Sequence, residues 1–187
     1  MKKYPILIAG IALASSALTS CLGDDENTWD TYREWREANN TWLEEQIALT
    51  EDGSTEPYYH RVVPAYNLGS YVYMHWYNDR QATAGNLVPF STSTVSVKYI
   101  GRLYDDTAFD SSYLQTDSVL SVTVNSDIID GWQIALQEMH VGDSCEVIIP
   151  YQFAYGSSGY NTISPYSNLK FNMKLVDITA YEIKSDE

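Results

Sequence analysis

"IIDGWQIALQEMHVGD", residues 128–143, decides how the rest of the chain is read. Ile129, Trp132, Leu136 and Met139 fall on one helical face, and a Val-Gly turn ends the pattern. The stretch therefore predicts one helix of about ten residues. On both sides the period changes to two. Val95, Val97 and Tyr99 alternate with polar neighbours, and Leu120, Val122 and Val124 recur in the same way. So do Cys145, Val147 and Ile149, and in "LKFNMKL" Leu169, Phe171, Met173 and Leu175 alternate with Lys170, Asn172 and Lys174. Such strands make a sheet that is wet on one face and packed on the other. A mostly antiparallel sheet closing its apolar face on one short helix is an α+β arrangement. Trp132 stands in the first turn of that helix, so it is either ordinary core or the floor of something open.

The chain has 187 residues and 44% hydrophobic content, enough for one domain with an accessory segment. Its 16 tyrosines against 4 phenylalanines suit half-exposed surfaces and pockets, because tyrosine joins an apolar ring to a polar tip. A net charge of −14 excludes a phosphate-binding surface, so no nucleic acid is expected as a partner. His60, His75 and His140 are scattered, with no metal-ligand spacing, and neither metal nor cofactor is expected.

The first residues, "MKKYPILIAGIALASSALTSC", have a basic start, an apolar run and small residues before Cys21. This is the build of an export signal at 1–20. The ending Leu18-Thr19-Ser20-Cys21 resembles the lipobox of bacterial lipoproteins, which implies lipidation at Cys21 and membrane attachment through that anchor. An acidic tether, "LGDDEN", lies within residues 21–28 and resembles the surface-export signal of Bacteroidetes lipoproteins; a plain solvated linker reads as well. The expected location is the cell envelope, lipid-anchored in the outer membrane, on the periplasmic or the surface side. With Cys21 used by lipid, Cys145 has no disulfide partner and reads as a small buried hydrophobe.

Residues 29–80 form an extension. Thr31 and Glu34 match a capping box for a helix over 31–49, whose Tyr32, Trp35, Trp42, Leu43 and Ile47 recur at helical spacing as a face to be docked on a core. Two strands follow, "YYHRVVPAY" and "GSYVYMHWY", and then "NDRQATAGNLVPFSTS" reads as loop.

Four ordered motifs carry a resemblance: "VSVKYIGRLYDDTAFDSS", "IIDGWQIALQEMHVGD", "IIPYQFAYGSSG" and "ISPYSNLKFNMKL". Together, over about 94–180, they resemble the FK506-binding-protein (FKBP) type of peptidyl-prolyl cis–trans isomerase. The resemblance implies an isomerase domain at 81–187 with a twisted antiparallel sheet wrapped around one short helix. It makes Trp132 the floor of an apolar pocket for the substrate proline, with Tyr99, Phe109 and Phe171 as walls. It makes the Ile129 N–H and the Tyr155 hydroxyl hydrogen-bond donors to substrate, and gives Asp110 the polarity around the rotating carbonyl. Leu120, Ile128, Tyr160 and Ile163 are implied as further substrate-binding residues. The implied partners are proline-containing polypeptides of exported proteins, and FK506-like macrolides.

The sequence departs from the family at the loop over the pocket. Tyr160-Asn161 stands where a His-Pro pair is common, and Asp130 replaces a residue that is often basic. A non-catalytic chaperone or surface-interaction module on the same fold therefore stays open beside the enzyme.

Overall fold

The computed structural model describes residues 28–114, 117–125 and 128–181. The export signal read at 1–20, Cys21 and most of the acidic tether lie outside the described residues. In chain order the elements are α1 (Thr28–Thr31), α2 (Arg33–Ile47), β1 (His60–Val62), β2 (Val72–Trp76), α3 (Arg80–Thr83), β3 (Thr94–Arg102), β4 (Ala108–Ser111), β5 (Leu120–Thr123), α4 (Asp130–Glu138), β6 (Ser144–Ile149) and β7 (Leu169–Ala180). Short 3-10 turns at Ser112–Leu114 and Tyr151–Phe153 complete the set.

The seven strands form one antiparallel sheet whose main path runs β1-β2-β6-β7-β3. The nine-residue β3 is long enough to take two partners along its outer edge. Its first half pairs with β5 (Val95 opposite Val122) and its second half with β4 (Gly101 opposite Asp110). The period-2 reading is what the structure shows. Val95, Val97, Tyr99, Cys145, Val147, Leu169, Phe171, Met173 and Leu175 are all buried, and their alternating neighbours in β3 and over Leu169–Lys174 are not. Leu136 and Met139 from the end of α4 enter the same core with no exposure. The fold is α+β, as the sequence implied.

The extension joins this sheet instead of sitting beside it. Val72 and Met74 of β2 are fully buried, and β2 runs along β6 with Met74 opposite Val147. On the other face Glu146 gathers the hydroxyl of Tyr59, the hydroxyl of Tyr77 at 3.0 Å and the Asn172 amide at 3.0 Å, stitching three segments together. The stretch read as loop at 78–93 contains a helical turn, α3, whose N-cap Asp79 accepts from the Gln81 N–H at 2.8 Å. A four-residue helix is below the length at which apolar periodicity registers.

One expectation for the N-terminal helix is corrected. Thr31 ends α1, and the N-cap of α2 is Tyr32, with no side-chain cap, so the Thr31/Glu34 capping box does not form. The aromatic stripe docks in part, with Trp35 edge-on to Tyr104 at 5.1 Å. Ile47 is exposed, Tyr32, Trp35, Trp42 and Leu43 are half-buried, and the single buried residue of α2 is Asn39. Asn39 Oδ1 accepts from the Asn168 N–H at 2.8 Å, and its carbonyl accepts from Asn168 Nδ2 at 2.8 Å. A buried backbone donor must be paired, and here an amide side chain on a distant helix does the pairing.

Candidate functional site

Trp132 owes its place to Gly131. A Cβ at Gly131 would collide with the side chain of Ile149, so only glycine lets the first turn of α4 lie directly on β6. Trp132 is then carried down to 5% exposure, with Tyr99 edge-on at 4.8 Å and Phe171 edge-on at 5.3 Å. Phe109 of β4 meets Phe171 edge-on at 5.6 Å. These perpendicular contacts are the arrangement that ring quadrupoles favour. They leave an open cavity of about 390 Å³ with Trp132 in its wall.

Ten of the eleven expected pocket residues line this cavity. Tyr99, Phe109 and Phe171 are joined by Leu120 from the start of β5, and by Ile128 and Ile129 before α4. Asp110, Tyr155 and Tyr160 form the polar side. Ile163 is brought elsewhere. It is 6% exposed and borders a smaller adjoining cleft with Phe109, Asp110, Tyr155 and Tyr160. Tyr160 lies stacked on Tyr155, ring centroids 5.0 Å apart.

Asp110 is held at both oxygens. Oδ2 accepts from the Tyr99 hydroxyl at 2.6 Å, and Oδ1 accepts from the Ser111 N–H at 2.7 Å. The sequence shows Tyr99 only as a wall; in the structure its hydroxyl also aims the carboxylate. Burial, and then the hydrogen bond to Asp110, push the Tyr99 hydroxyl far above its usual range. Burial, followed by Tyr160 and Asp110, raises Tyr155 as well. Both phenols therefore remain proton donors at neutral pH. The Tyr155 hydroxyl takes no hydrogen-bond partner among the described residues. The Ile129 N–H, at the N-cap of α4, likewise takes no acceptor among the described residues, and it sits at the positive end of the helix dipole.

Gly101 is a site residue that the sequence reading missed. A Cβ there would lie 2.7 Å from Phe109 Cζ and 2.8 Å from Phe171 Cε1. The two rings cross over this glycine, so it sets how far they stand back from the cavity. The signal was present: an isolated glycine inside an alternating strand marks close approach.

No helix among the described residues is long and apolar enough to cross a membrane. Among the same residues no group of three or more His, Cys, Asp or Glu is placed to hold a metal ion.

The chain resembles known proteins over about half its length. The family described as FKBP-type peptidyl-prolyl cis-trans isomerase matches residues 86–176. FK506-binding protein 2 of Debaryomyces hansenii is 38% identical over 93 residues, covering 50% of this chain and 68% of that protein. The FKBP-type 22 kDa peptidyl-prolyl cis-trans isomerase of Escherichia coli is 40% identical over 92 residues, 49% of this chain and 44% of that protein. The crystal structure of FkpA from Escherichia coli superposes with a TM-score of 0.63 at 25% identity, over 82% of this chain and 63% of that one. The chain spans about half the length, or less, of several of the curated relatives it matches.

Proposed function

The chain belongs to the FKBP-type peptidyl-prolyl cis-trans isomerase family, and on that premise we propose that it catalyses cis–trans exchange of Xaa-Pro bonds in exported polypeptides. The observation that carries the reading is the apolar cavity on Trp132, with two donors at its edge, the Ile129 N–H and the Tyr155 hydroxyl, that take no partner among the described residues. Rotation about a peptide bond meets a barrier of about 18–20 kcal/mol because the planar amide is resonance-stabilised. Uncatalysed Xaa-Pro exchange therefore takes on the order of tens to hundreds of seconds.

At the twisted midpoint the resonance is gone and the carbonyl dipole is smaller. A dewatered cup destabilises the planar, more polar amide relative to the twisted one. The proline ring rests on Trp132 between Tyr99 and Phe171. The Ile129 N–H holds one carbonyl, the Tyr155 hydroxyl donates to a second, and Asp110, fixed by Tyr99, disfavours negative charge at the rotating oxygen. No bond is made or broken, so fixed dipoles and shape suffice. We extend the reading to FK506-like macrolides as ligands of the same cup.

Export and anchoring are part of the proposal. The signal-like residues 1–20 and the lipobox-like ending before Cys21 support a lipoprotein held at the outer membrane, on the periplasmic or the surface side. Replacing Cys21 by serine should release the protein from the membrane fraction and abolish incorporation of labelled fatty acid. Retention of both would remove the anchor.

The test of the activity is exchange NMR on a short Leu-Pro peptide. The native protein should speed exchange, and the Tyr155→Phe, Asp110→Ala double variant should lose roughly tenfold or more of that acceleration. A folded native protein that leaves the exchange rate unchanged across several Xaa-Pro peptides would overturn the enzymatic reading in favour of a binding module.

A further inference from the structure

The proline cavity does not end at Tyr155. Phe109, Asp110, Tyr155 and Tyr160, which line it, also border a cleft of about 280 Å³ that continues to Asn161, Thr162 and Ile163. Those last three, with Tyr160, border in turn a third depression of about 430 Å³, whose wall on the α2 side is Tyr32. The three depressions adjoin through these shared residues, and we read them as one groove from Trp132 to the start of α2. Its chemistry changes along the way. The inner end is apolar apart from Asp110, Tyr155 and Tyr160, whereas the outer end is lined by Ser158, Thr162, Ser164 and Asn161, with no charged side chain among the described residues that line it.

Tyr32 is not a loose surface residue. Its N–H donates to the Thr28 carbonyl at 3.0 Å, and its carbonyl accepts from the Arg36 N–H at 2.9 Å, so its backbone is fixed at the junction of α1 and α2. One turn on, Trp35 Nε1 donates to Ser167 Oγ at 3.1 Å, and that hydroxyl donates to the Ser164 carbonyl at 2.7 Å. The helix is thereby tied to the loop that forms the opposite wall. Tyr32 also lies outside the 86–176 segment shared with the family, so this wall is supplied by the extension.

We propose that this groove is an extended binding site for the polypeptide flanking the proline, and that Tyr32 is a specificity-determining residue favouring an uncharged stretch with aromatic or amide side chains. The inference rests on the proposed reading of the inner cavity as a proline site. A chain leaving an apolar cup must find partners for its backbone N–H and C=O groups. Asn161 offers both donor and acceptor, and Thr162 and Ser158 offer hydroxyls. The Tyr32 and Tyr160 rings supply faces on which a flanking side chain can lie. The backbone of Tyr32 is held by α1 and α2, which confines its ring to the α2 side of the depression.

The test uses the full-length protein and isothermal titration, which reads binding whether or not exchange is catalysed. The ligands are an Ala-Leu-Pro-Phe core and two longer uncharged peptides, extended with Asn, Ser and Tyr residues on the N-terminal or the C-terminal side. At least one longer peptide should bind about tenfold more tightly than the core. Tyr32→Ala should cut its affinity about fivefold while leaving the core unchanged, and Tyr32→Phe should keep it within about twofold. The inference is overturned if neither extension gains affinity, or if Tyr32→Ala weakens core and extended peptides equally or neither. Failure of the enzymatic reading shows separately, as native protein that binds these peptides without speeding their exchange.

Discussion

Gly101→Ala tests the claim that two crossed rings set the size of the proline cavity. The added Cβ would stand 2.7 Å from Phe109 Cζ, 2.9 Å from Phe109 Cε2 and 2.8 Å from Phe171 Cε1. Ordinary carbon–carbon contact is about 3.5–4.0 Å, so each ring must retreat by about 1 Å. The backbone has little room to give, since Gly101 is paired on both sides, with Asp110 of β4 and Phe171 of β7. Overpacking of this kind costs about 1–3 kcal/mol, partly offset by the roughly 0.5–1 kcal/mol that alanine gains over glycine in a strand. The net loss of about 1–2 kcal/mol corresponds to a fall in melting temperature of about 2–8 °C for a domain of this size. Rings pushed toward Trp132 narrow the cup, and a proline-site misfit of about 1–2 kcal/mol lowers kcat/KM about five- to thirtyfold. Exchange NMR on the Leu-Pro peptide and a calorimetric melt measure the two effects on one sample. An unchanged kcat/KM beside a normal melt would refute the reasoning, because the rings would then have room that the structure denies them.

Asp143→Ala should be the most damaging change outside the cavity. The carboxylate is fully buried and accepts from Asn78 Nδ2 at 2.9 Å, the Thr83 hydroxyl and the His140 N–H at 2.8 Å, with Arg80 Nε 3.2 Å away. Stranding those groups should cost about 3–5 kcal/mol, seen as a lower urea midpoint. Burial opposes charge on Asp143, but the hydrogen bonds from Thr83, His140 and Asn78, with Arg80, outweigh it and hold the carboxyl below its usual range. A depressed carboxyl stabilises above its unfolded value and stops doing so as pH falls through the folded one. Acid melts should therefore lose stability below about pH 4, and the Asp143→Asn variant should show a flatter profile there. Asn39→Ala should cost about 1–3 kcal/mol by orphaning the Asn168 N–H, and should raise protease cleavage in residues 28–57 before the sheet unfolds. Cys145 is fully buried, and burial raises its thiol far above the usual range; it should resist thiol reagents until the protein is denatured, and rapid labelling of native protein would contradict this.

Much of the cavity was legible in the chain itself. Strands of period two with a single helix at Ile129–Met139 are local patterns, and each residue's face follows from the backbone repeat of its own element. The ring-bearing positions Tyr99, Phe109, Trp132 and Phe171 could be named because they sit in motifs shared with a family. The wall at Tyr32 could not be named this way. Nor could the bond from Asn39 to Asn168, two residues 129 positions apart, or the hold of Tyr99 on Asp110. The aromatic stripe of α2 pointed to the face that Trp35 docks, but not to Asn39, the buried amide that also fixes the helix. Periodicity reports which face of an element avoids water. It carries no information on which distant segment satisfies a buried polar group, or how closely two rings cross over a glycine. Those depend on distances between elements, and such distances exist only once the chain has packed.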